Sequence, residues 1–430
     1  MEKIYHDSEK FFENPKKYVA NSISIVGRIK KIRKVGKTLN FVIIQLNWGM
    51  VQCVVDNNGI TIPRVNSIVL VEGIVRCNLK VKNGIAGVEL LVKKMNILSE
   101  VKKVLPMINI ESSVVERINN RHLDLRNEKI AAIFKVKSTI LKSAREFLYE
   151  NKFIEVYSSK IIGDSVQGPI EAFSVNYFGS NAYLSLSNML YHSQIIGGDL
   201  TRIFEIGPMF RANNANTKIH LSEFTVLDYS IAYLNRDEVI ELTNNLIAYT
   251  LKQLSFECQK QLDLFSFDCS RFEKFEIISY QEIFDYLNTN GMSIEYGSSI
   301  PKTSLNILKD KFKGFFWIID HPEETKAFYS KTRNVNNKSI CYDLQLWHPD
   351  ITDIADGAER ITDAEDMTAK LIRRGLDPNK FKFYLNVLDH GIPPSTGIGL
   401  GMDRFTQLIL GLKDVREAVL FPRGPKTKLN

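Results

Sequence analysis

Apolar residues between positions 22 and 98 come in short runs: Ile23–Ile29, Leu39–Leu46, Val51–Val55, Ser67–Val75 and Val88–Leu98. Turn signals separate them at Val35-Gly36-Lys37, Asn57-Asn58-Gly59 and Lys82-Asn83-Gly84, so each run reads as a strand. The pattern changes after residue 129. Ile130, Ile133, Phe134, Leu141, Ala144 and Leu148 fall at helical spacing and predict an amphipathic helix from Ile130 to Glu150, with Phe153–Val156 as a strand behind it. The block from Phe204 to Asp228 reads as two antiparallel strands with a polar loop between them. Near the end, Gly397, Gly399 and Gly401 alternate with apolar residues at the period of a strand, ahead of an apolar helix with Phe405, Leu408, Ile409 and Leu412.

Two of these patterns carry chemistry. Five short strands with such frequent turns fit a Greek-key barrel of the OB type, a common oligonucleotide-binding fold. Its first strand and turn hold Arg28, Lys30, Lys31, Arg33, Lys34 and Lys37. These residues read either as a lysine-blunted edge or as a phosphate-tracking groove in which Phe41 stacks on a base. The glycine strand has lost every side chain from one face, which weakens a strand unless something flat lies against its backbone. A nucleobase fits that face, and Arg404 falls at the strand-to-helix switch, where it can hold a phosphate. A closely packed strand with Arg404 in a surface ion pair is the alternative. The spacing is not the GxGxxG of a dinucleotide fingerprint.

Length and composition set the frame. At 430 residues the chain suggests roughly two or three domains. No apolar run reaches about 18 residues and the N-terminus lacks an apolar signal core, so no membrane span and a cytoplasmic location are expected. Five cysteines without CxxC spacing argue against a zinc site and a disulfide framework. A net charge of +7 is compatible with a polyanionic partner. Residues 1–20 read as a charged, helical leader, and Lys102 to Asn119 as a linker marked by Pro106 and Ser112-Ser113.

Taken with Val415–Arg423 and the arginine-bearing block at 204–234, the glycine strand resembles the class II aminoacyl-tRNA synthetases. The likeness is to the aspartyl/asparaginyl branch in its archaeal and eukaryotic form, and it runs over nearly the whole chain. It implies an α+β architecture: a leader and OB-fold anticodon-binding domain over 1–105, a hinge over 106–129, and a catalytic domain over 130–430 built on an antiparallel sheet flanked by helices. It also implies ATP and Mg2+ as cofactors, with tRNA, a small polar amino acid and a second copy of the chain as partners. By that likeness Arg211 holds the α-phosphate and the reacting carboxylate, Phe224 stacks on adenine, Glu223 accepts from its amine, and Arg404 holds the γ-phosphate. His220 sits near the phosphates, with Gly399 and Gly401 beneath the nucleotide. Asp353 and Asp356 stand in the metal-binding strand, where the family has Glu and Ser. Asp228 matches the residue holding the α-amino group and Arg360 the one reading the side-chain carboxylate. Phe41, Gln52 and Glu89 match the residues that read central anticodon bases.

The likeness frays around the amino acid. Val166-Gln167-Gly168-Pro169 replaces the usual Ser-Glu-Gly-Gly, Met189 and His192 replace a glutamine and a lysine, Asn213 replaces a glutamate, and Ser159 replaces the proline of the dimer motif. Ser159 bears on the dimer geometry; the other changes cluster around one ligand moiety and imply an altered pocket in which Gln167, Met189, His192, Asp228 and Arg360 face the amino acid. The activity implied is ATP-dependent adenylation of aspartate or asparagine and transfer to tRNA. The alternatives are a paralogue making an aminoacyl-adenylate for specialised metabolism, amide synthesis or inhibitor resistance, and an RNA-binding regulator with an inactive catalytic domain. Adenylation needs no general base, because the carboxylate is already a nucleophile; it needs anions positioned and charge neutralised, which arginines and Mg2+ supply.

Overall fold

The computed structural model describes residues 2–47, 49–56, 59–81, 85, 87–163, 172–215 and 217–425, with backbone only for 2–7. Two of the expected turns, at 57–58 and 82–84, lie outside them. Contacts divide the chain into two compact units, Met1–Met107 and Ile108–Asn430.

The first unit is a closed five-stranded barrel in the order β1-β2-β3-β5-β4. Its strands are β1 (Ser22–Val35), β2 (Leu39–Gln45), β3 (Met50–Asp56), β4 (Ile68–Asn78) and β5 (Gly87–Ser99). Each expected run is a strand, and the alternation puts Ile25, Ile29, Val42, Ile44, Val51, Val71 and Leu90 inside. β1 is longer than its apolar run because it serves two partners. It pairs with β4 up to Arg28 and with β2 from Arg28 onward. Closure brings strands close enough that a Cβ at Gly27 would lie 2.5 Å from the Gln45 carbonyl oxygen. The leader is helical over Glu2–Glu13, and its Phe11 is buried in the barrel core.

The second unit contributes, in chain order, β6 (Ile154–Glu155), β7 (Ile161–Ile162), β8 (Ser174–Tyr177), β9 (Ser180–Leu184), β10 (Arg202–Phe210) and β11 (Glu223–Ala232). Then follow β12 (Phe275–Ser279), β13 (Phe315–Ile319), β14 (Thr332–Val335), β15 (Lys338–Cys341), β16 (Asp343–His348), β17 (Thr352–Glu359) and β18 (Ser395–Gly401). Eight of them form one sheet, β12-β13-β16-β17-β18-β11-β10-β6, antiparallel except at the β6–β10 and β12–β13 pairs. β7-β9-β8 and the hairpin β14-β15 are satellites.

The two faces of this sheet differ. Leu227, Tyr229, Ile231, Ile398 and Leu400 point toward the helices Glu128–Glu150 and Arg236–Glu257, and bury with Ile133, Val136, Ile140 and Leu246 in the largest core cluster. The alternate positions, Asp228, Ser230, Gly397 and Gly399, are therefore on the face without those helices. One helical layer thus leaves the other face for a site.

The segment read as a linker contains structure. Ser113 caps the helix Val114–Asn119 by accepting the Glu116 amide at 3.2 Å; a serine that looks like loop punctuation is here a helix start. Beyond it, Arg117 and Arg121 are buried. Both bond Asp124, at 2.9 and 2.6 Å, Arg117 reaches Glu417 at 2.7 Å, and Arg121 donates to the carbonyls of Val419 and Leu420 at 2.8 Å. This ties residues 117–124 to the C-terminal strap of the same unit.

Arg121→Met should leave the buried Asp124 carboxylate short of a partner and two carbonyls without donors. A loss of about 3–5 kcal/mol in urea unfolding of the catalytic unit is expected, and a loss below about 1 kcal/mol would show the ion pair to be dispensable.

Candidate active site

A cavity of about 280 Å³ opens on the face of the sheet opposite the helices Glu128–Glu150 and Arg236–Glu257. Arg211, His220, Phe224, Asp228, Asp353, Asp356, Arg360, Gly399, Gly401, Met189 and Arg404 all line it. These side chains come from six separate stretches, and strand register brings them together. Met209 faces Phe224 across β10–β11, Asp228 faces Gly399 across β11–β18, and Asp356 faces Gly399 from β17.

The glycine strand works differently from the expectation. A Cβ at Gly397 would strike the guanidinium of Arg360 and come within 2.7 Å of Ser230 Oγ, and one at Gly399 would strike Oδ1 of Asp228. The stripped face is therefore filled at two of its three steps by the protein's own charged side chains. Only Gly401 is open, with its nearest neighbour, the Ile354 carbonyl oxygen, at 3.5 Å from such a Cβ. Gly399 is a gap for Asp228 rather than a shelf for a base.

The two ends of the cavity have different chemistry. At one end Arg211 directly follows β10 and its guanidinium lies 5.4 Å from the centre of the half-buried Phe224 ring. Arg404 opens the helix Met402–Ile409 and donates from Nη1 to Asp353 Oδ2 at 2.8 Å and to the Asp353 carbonyl at 2.9 Å. The switch beneath it is pinned by Asp403, whose carboxylate accepts the Thr225 amide at 2.7 Å and pairs with Lys137. His220 Nδ1 contacts Thr217 Oγ1 at 2.6 Å, and its Nε2 accepts from Lys302 Nζ at 2.9 Å. Burial, Lys302 and Arg404 lower the imidazole pKa, so His220 is neutral and the charge there is the lysine's.

Asp353 and Asp356 reach the same cavity through a bulge. Trp347 pairs with Asp353 and Leu346 with Ala355, so Ile354 is an extra residue that restores both aspartates to one face. Thr352, fully buried and β-branched, enters the bulge at φ 135°, a strained conformation held where Asp353 is aimed. Burial opposes charge on Asp353, but Arg404, Thr352 and Arg211 together outweigh it and keep the carboxyl below its usual range. As hard-oxygen donors the pair fits a Mg2+ ion that takes most of its ligands from phosphate and water. Asp356 is also engaged elsewhere, since Lys326 Nζ lies 2.6 Å from its Oδ1. Among the described residues no group of three or more His, Cys, Asp or Glu forms a self-sufficient cage.

At the other end Arg360 is 5 % exposed, 4.8 Å from the Tyr329 ring centre, and donates to Met189 Sδ at 2.8 Å. Among the described residues no carboxylate comes within ion-pair distance of it. Burial, with Glu205 adding, pushes the Asp228 carboxyl up to about 7, against Lys160 and Arg360. His192 is fully buried and does not line the cavity. It sits behind it, with Nδ1 3.3 Å from Ser230 Oγ and Nε2 3.7 Å from Glu205, and burial lowers its pKa. Glu205 is bonded by Lys160 at 2.6 Å, by Ser158 Oγ at 2.7 Å and by Asn188 at 2.9 Å. His192, expected to face the amino acid, is therefore a buried ring behind the cavity wall. Glu223 is exposed at the start of β11, bridged to Arg423, and is not on the cavity wall. Gln167 lies outside the described residues.

In the barrel, Phe41 is half-buried with the Arg33 guanidinium 4.9 Å from its ring centre. Gln52 and Glu89, expected to face bases, are buried and bonded to each other at 2.8 Å, and Arg76 takes the second oxygen of Glu89 at 2.5 Å. Sequence reasoning missed Lys326, Tyr329, Lys302, Glu205 and Lys160. Each is a single residue with no local pattern.

A family model described as "tRNA synthetases class II (D, K and N)" matches residues 113–425. The chain is 31% identical over 417 residues to an aspartate–tRNA(Asp/Asn) ligase of Methanopyrus kandleri, covering 94% of this chain and 95% of that one. It is 30% identical to an aspartate–tRNA(Asp) ligase of Picrophilus torridus, covering 95% and 97%. Asparaginyl-tRNA synthetase from Pyrococcus horikoshii complexed with asparaginyl-adenylate superposes with a TM-score of 0.89 at 27% identity, over 96% of this chain and 97% of that one.

The raised Asp228 pKa has a sign that can be measured. The native state keeps a proton that an exposed aspartate, ionising near 3.8, has lost, so stability falls as pH rises from about 4 to about 7. Asp228→Asn should flatten that fall in melting temperature between pH 5 and pH 7.5. An unchanged slope would count against the assignment.

Proposed function

The chain belongs to the class II tRNA synthetases of the D, K and N group, and we propose that it activates aspartate with ATP and passes the aspartyl group to a tRNA. The observation that carries aspartate over asparagine is Arg360. A guanidinium removed from water with no carboxylate beside it is costly, and a side-chain carboxylate relieves that cost where a neutral amide does not. Asp228, at the adjacent glycine step, is suited to the α-ammonium group, whose charge would bring its carboxyl back to the ionised form.

Two anions must then meet. The α-carboxylate attacks the α-phosphorus of ATP in line, a P–O bond forms, and the bond to pyrophosphate breaks. Arg211 would hold the α-phosphate and carboxylate, Phe224 would stack on the base, and Arg404 would turn from Asp353 to the γ-phosphate. Mg2+, when bound, would neutralise charge on the phosphoryl oxygens, with Asp353 as a protein ligand. His220 would orient Lys302 as a neutral acceptor. Phe41 with Arg33, and the exposed Lys31, Lys34 and Lys37, support a barrel that stacks on and tracks a single-stranded tRNA loop. Gln52 and Glu89 would read a base by giving up part of their mutual bond. Pairing of two copies would cover the sheet edge at β6, where Ile154 and Tyr157 are exposed. Among the described residues no helix is long and apolar enough to cross a membrane.

ATP–pyrophosphate exchange across the standard amino acids tests this reading. Aspartate should be preferred over asparagine by roughly ten- to hundredfold, the worth of one charge-assisted bond. Arg360→Gln should lower kcat/KM for aspartate by about 2–5 kcal/mol of binding energy and leave the KM for ATP near its original value. Equal use of asparagine would overturn the choice of substrate. Arg211→Ala should abolish exchange without changing the melting temperature, and wild-type exchange in that variant would refute its role. Phe41→Ala should weaken charging of tRNA and spare tRNA-free exchange.

A further inference from the structure

Lys326 has an unusual setting for a lysine. It is 8 % exposed, lines the cavity, and its ammonium lies 2.6 Å from Asp356 Oδ1 and 3.2 Å from Asp343 Oδ2. Asp343 is fully buried and held from behind, accepting the His321 amide at 2.8 Å and contacting His321 Nδ1 at 2.6 Å. The backbone carbonyl of Lys326 accepts from Arg374 at 2.6 Å. Both carboxylates face the one ammonium. This is a cation fixed at both ends, and one of its two anions is a residue expected to bind Mg2+.

We infer that Lys326 is a resident cation of this site, its ammonium filling the space between Asp343 and Asp356 that a divalent ion would otherwise take, so that Asp353 alone receives the metal arriving with the nucleotide. The inference rests on the nucleotide reading of the cavity. An ammonium and a divalent cation do not share one carboxylate cheaply, because like charges at such short separations repel, and here the ammonium itself is buried. Two carboxylate oxygens already lie within 3.2 Å of one point, so withdrawal of the ammonium leaves hard-oxygen ligands facing one another. Asp353 differs: its partner, Arg404, is a group that phosphate can draw away.

The test is Mn2+ binding to the full chain, read from the electron paramagnetic resonance signal of the free ion and needing no turnover. Without nucleotide, the wild type should bind no Mn2+ between Asp343 and Asp356. Lys326→Met should gain a site roughly tenfold tighter or more, lost again in Lys326→Met/Asp356→Ser and in Lys326→Arg. With ATP present, Asp353→Asn should weaken Mn2+ binding roughly tenfold or more, while Asp356→Ser, a change at an exposed side chain, should leave it unchanged. Nucleotide-free Mn2+ binding by the wild type that Asp356→Ser abolishes would overturn the inference. So would equal weakening by the Asp353 and Asp356 substitutions, a comparison that stands even if Lys326→Met fails to fold. Absence of aspartate-dependent exchange in the wild type would sink the functional reading, whereas the nucleotide-free Mn2+ comparison is read independently of it.

Discussion

The site exists because three successive positions on one face of β18, Gly397, Gly399 and Gly401, carry no side chain. Two charged groups from the flanking strands, Arg360 and Asp228, lie across that face at a distance from the backbone that no Cβ would permit. A guanidinium and a carboxyl are thereby held side by side over bare backbone, both buried and not bonded to each other. A substrate bearing both an ammonium and a carboxylate completes that arrangement. The cost of leaving it incomplete is visible in Asp228, whose carboxyl is pushed up to about 7 by burial.

The rest of the catalytic unit holds this geometry in place. Helices Glu128–Glu150 and Arg236–Glu257 cover the opposite face of the sheet, so that alternation along β11 and β18 separates core from site residue by residue. Asp403 ties the end of β18 to the start of β11 through the Thr225 amide, which fixes where Arg404 emerges. A single extra residue in β17 turns two aspartates onto one face. Buried ions away from the cavity are met by several partners instead: Arg117 and Arg121 share Asp124, and Glu205 is bonded by Lys160, Ser158 and Asn188.

The cavity is also graded in charge. One end collects Arg211, Arg404 and Lys302 around His220, with Asp353 the nearby anion. Its middle carries the buried Lys326 between two aspartates, and its far end the solitary Arg360. A polyanion and a zwitterion laid end to end would meet complementary charge at each step, which is what in-line attack between two anions requires.

The sequence by itself determined the elements and the family. Short alternating runs specify barrel strands, helical spacing specifies the helix beginning near Ile130, and the glycine ribbon with Arg211, Phe224 and Arg404 identifies the synthetase class, because these signals are local and periodic. It also marked Arg360 and Asp228 correctly as lining residues. What it did not determine is which side chains occupy the space the glycines leave, that His192 and Glu223 are off the cavity wall, and that Lys326 is clamped between Asp343 and Asp356. Those outcomes depend on strand register and on one bulge. Register joins residues far apart in the chain, and a shift of one position sends a side chain to the other face of the sheet. Only the assembled sheet decides that.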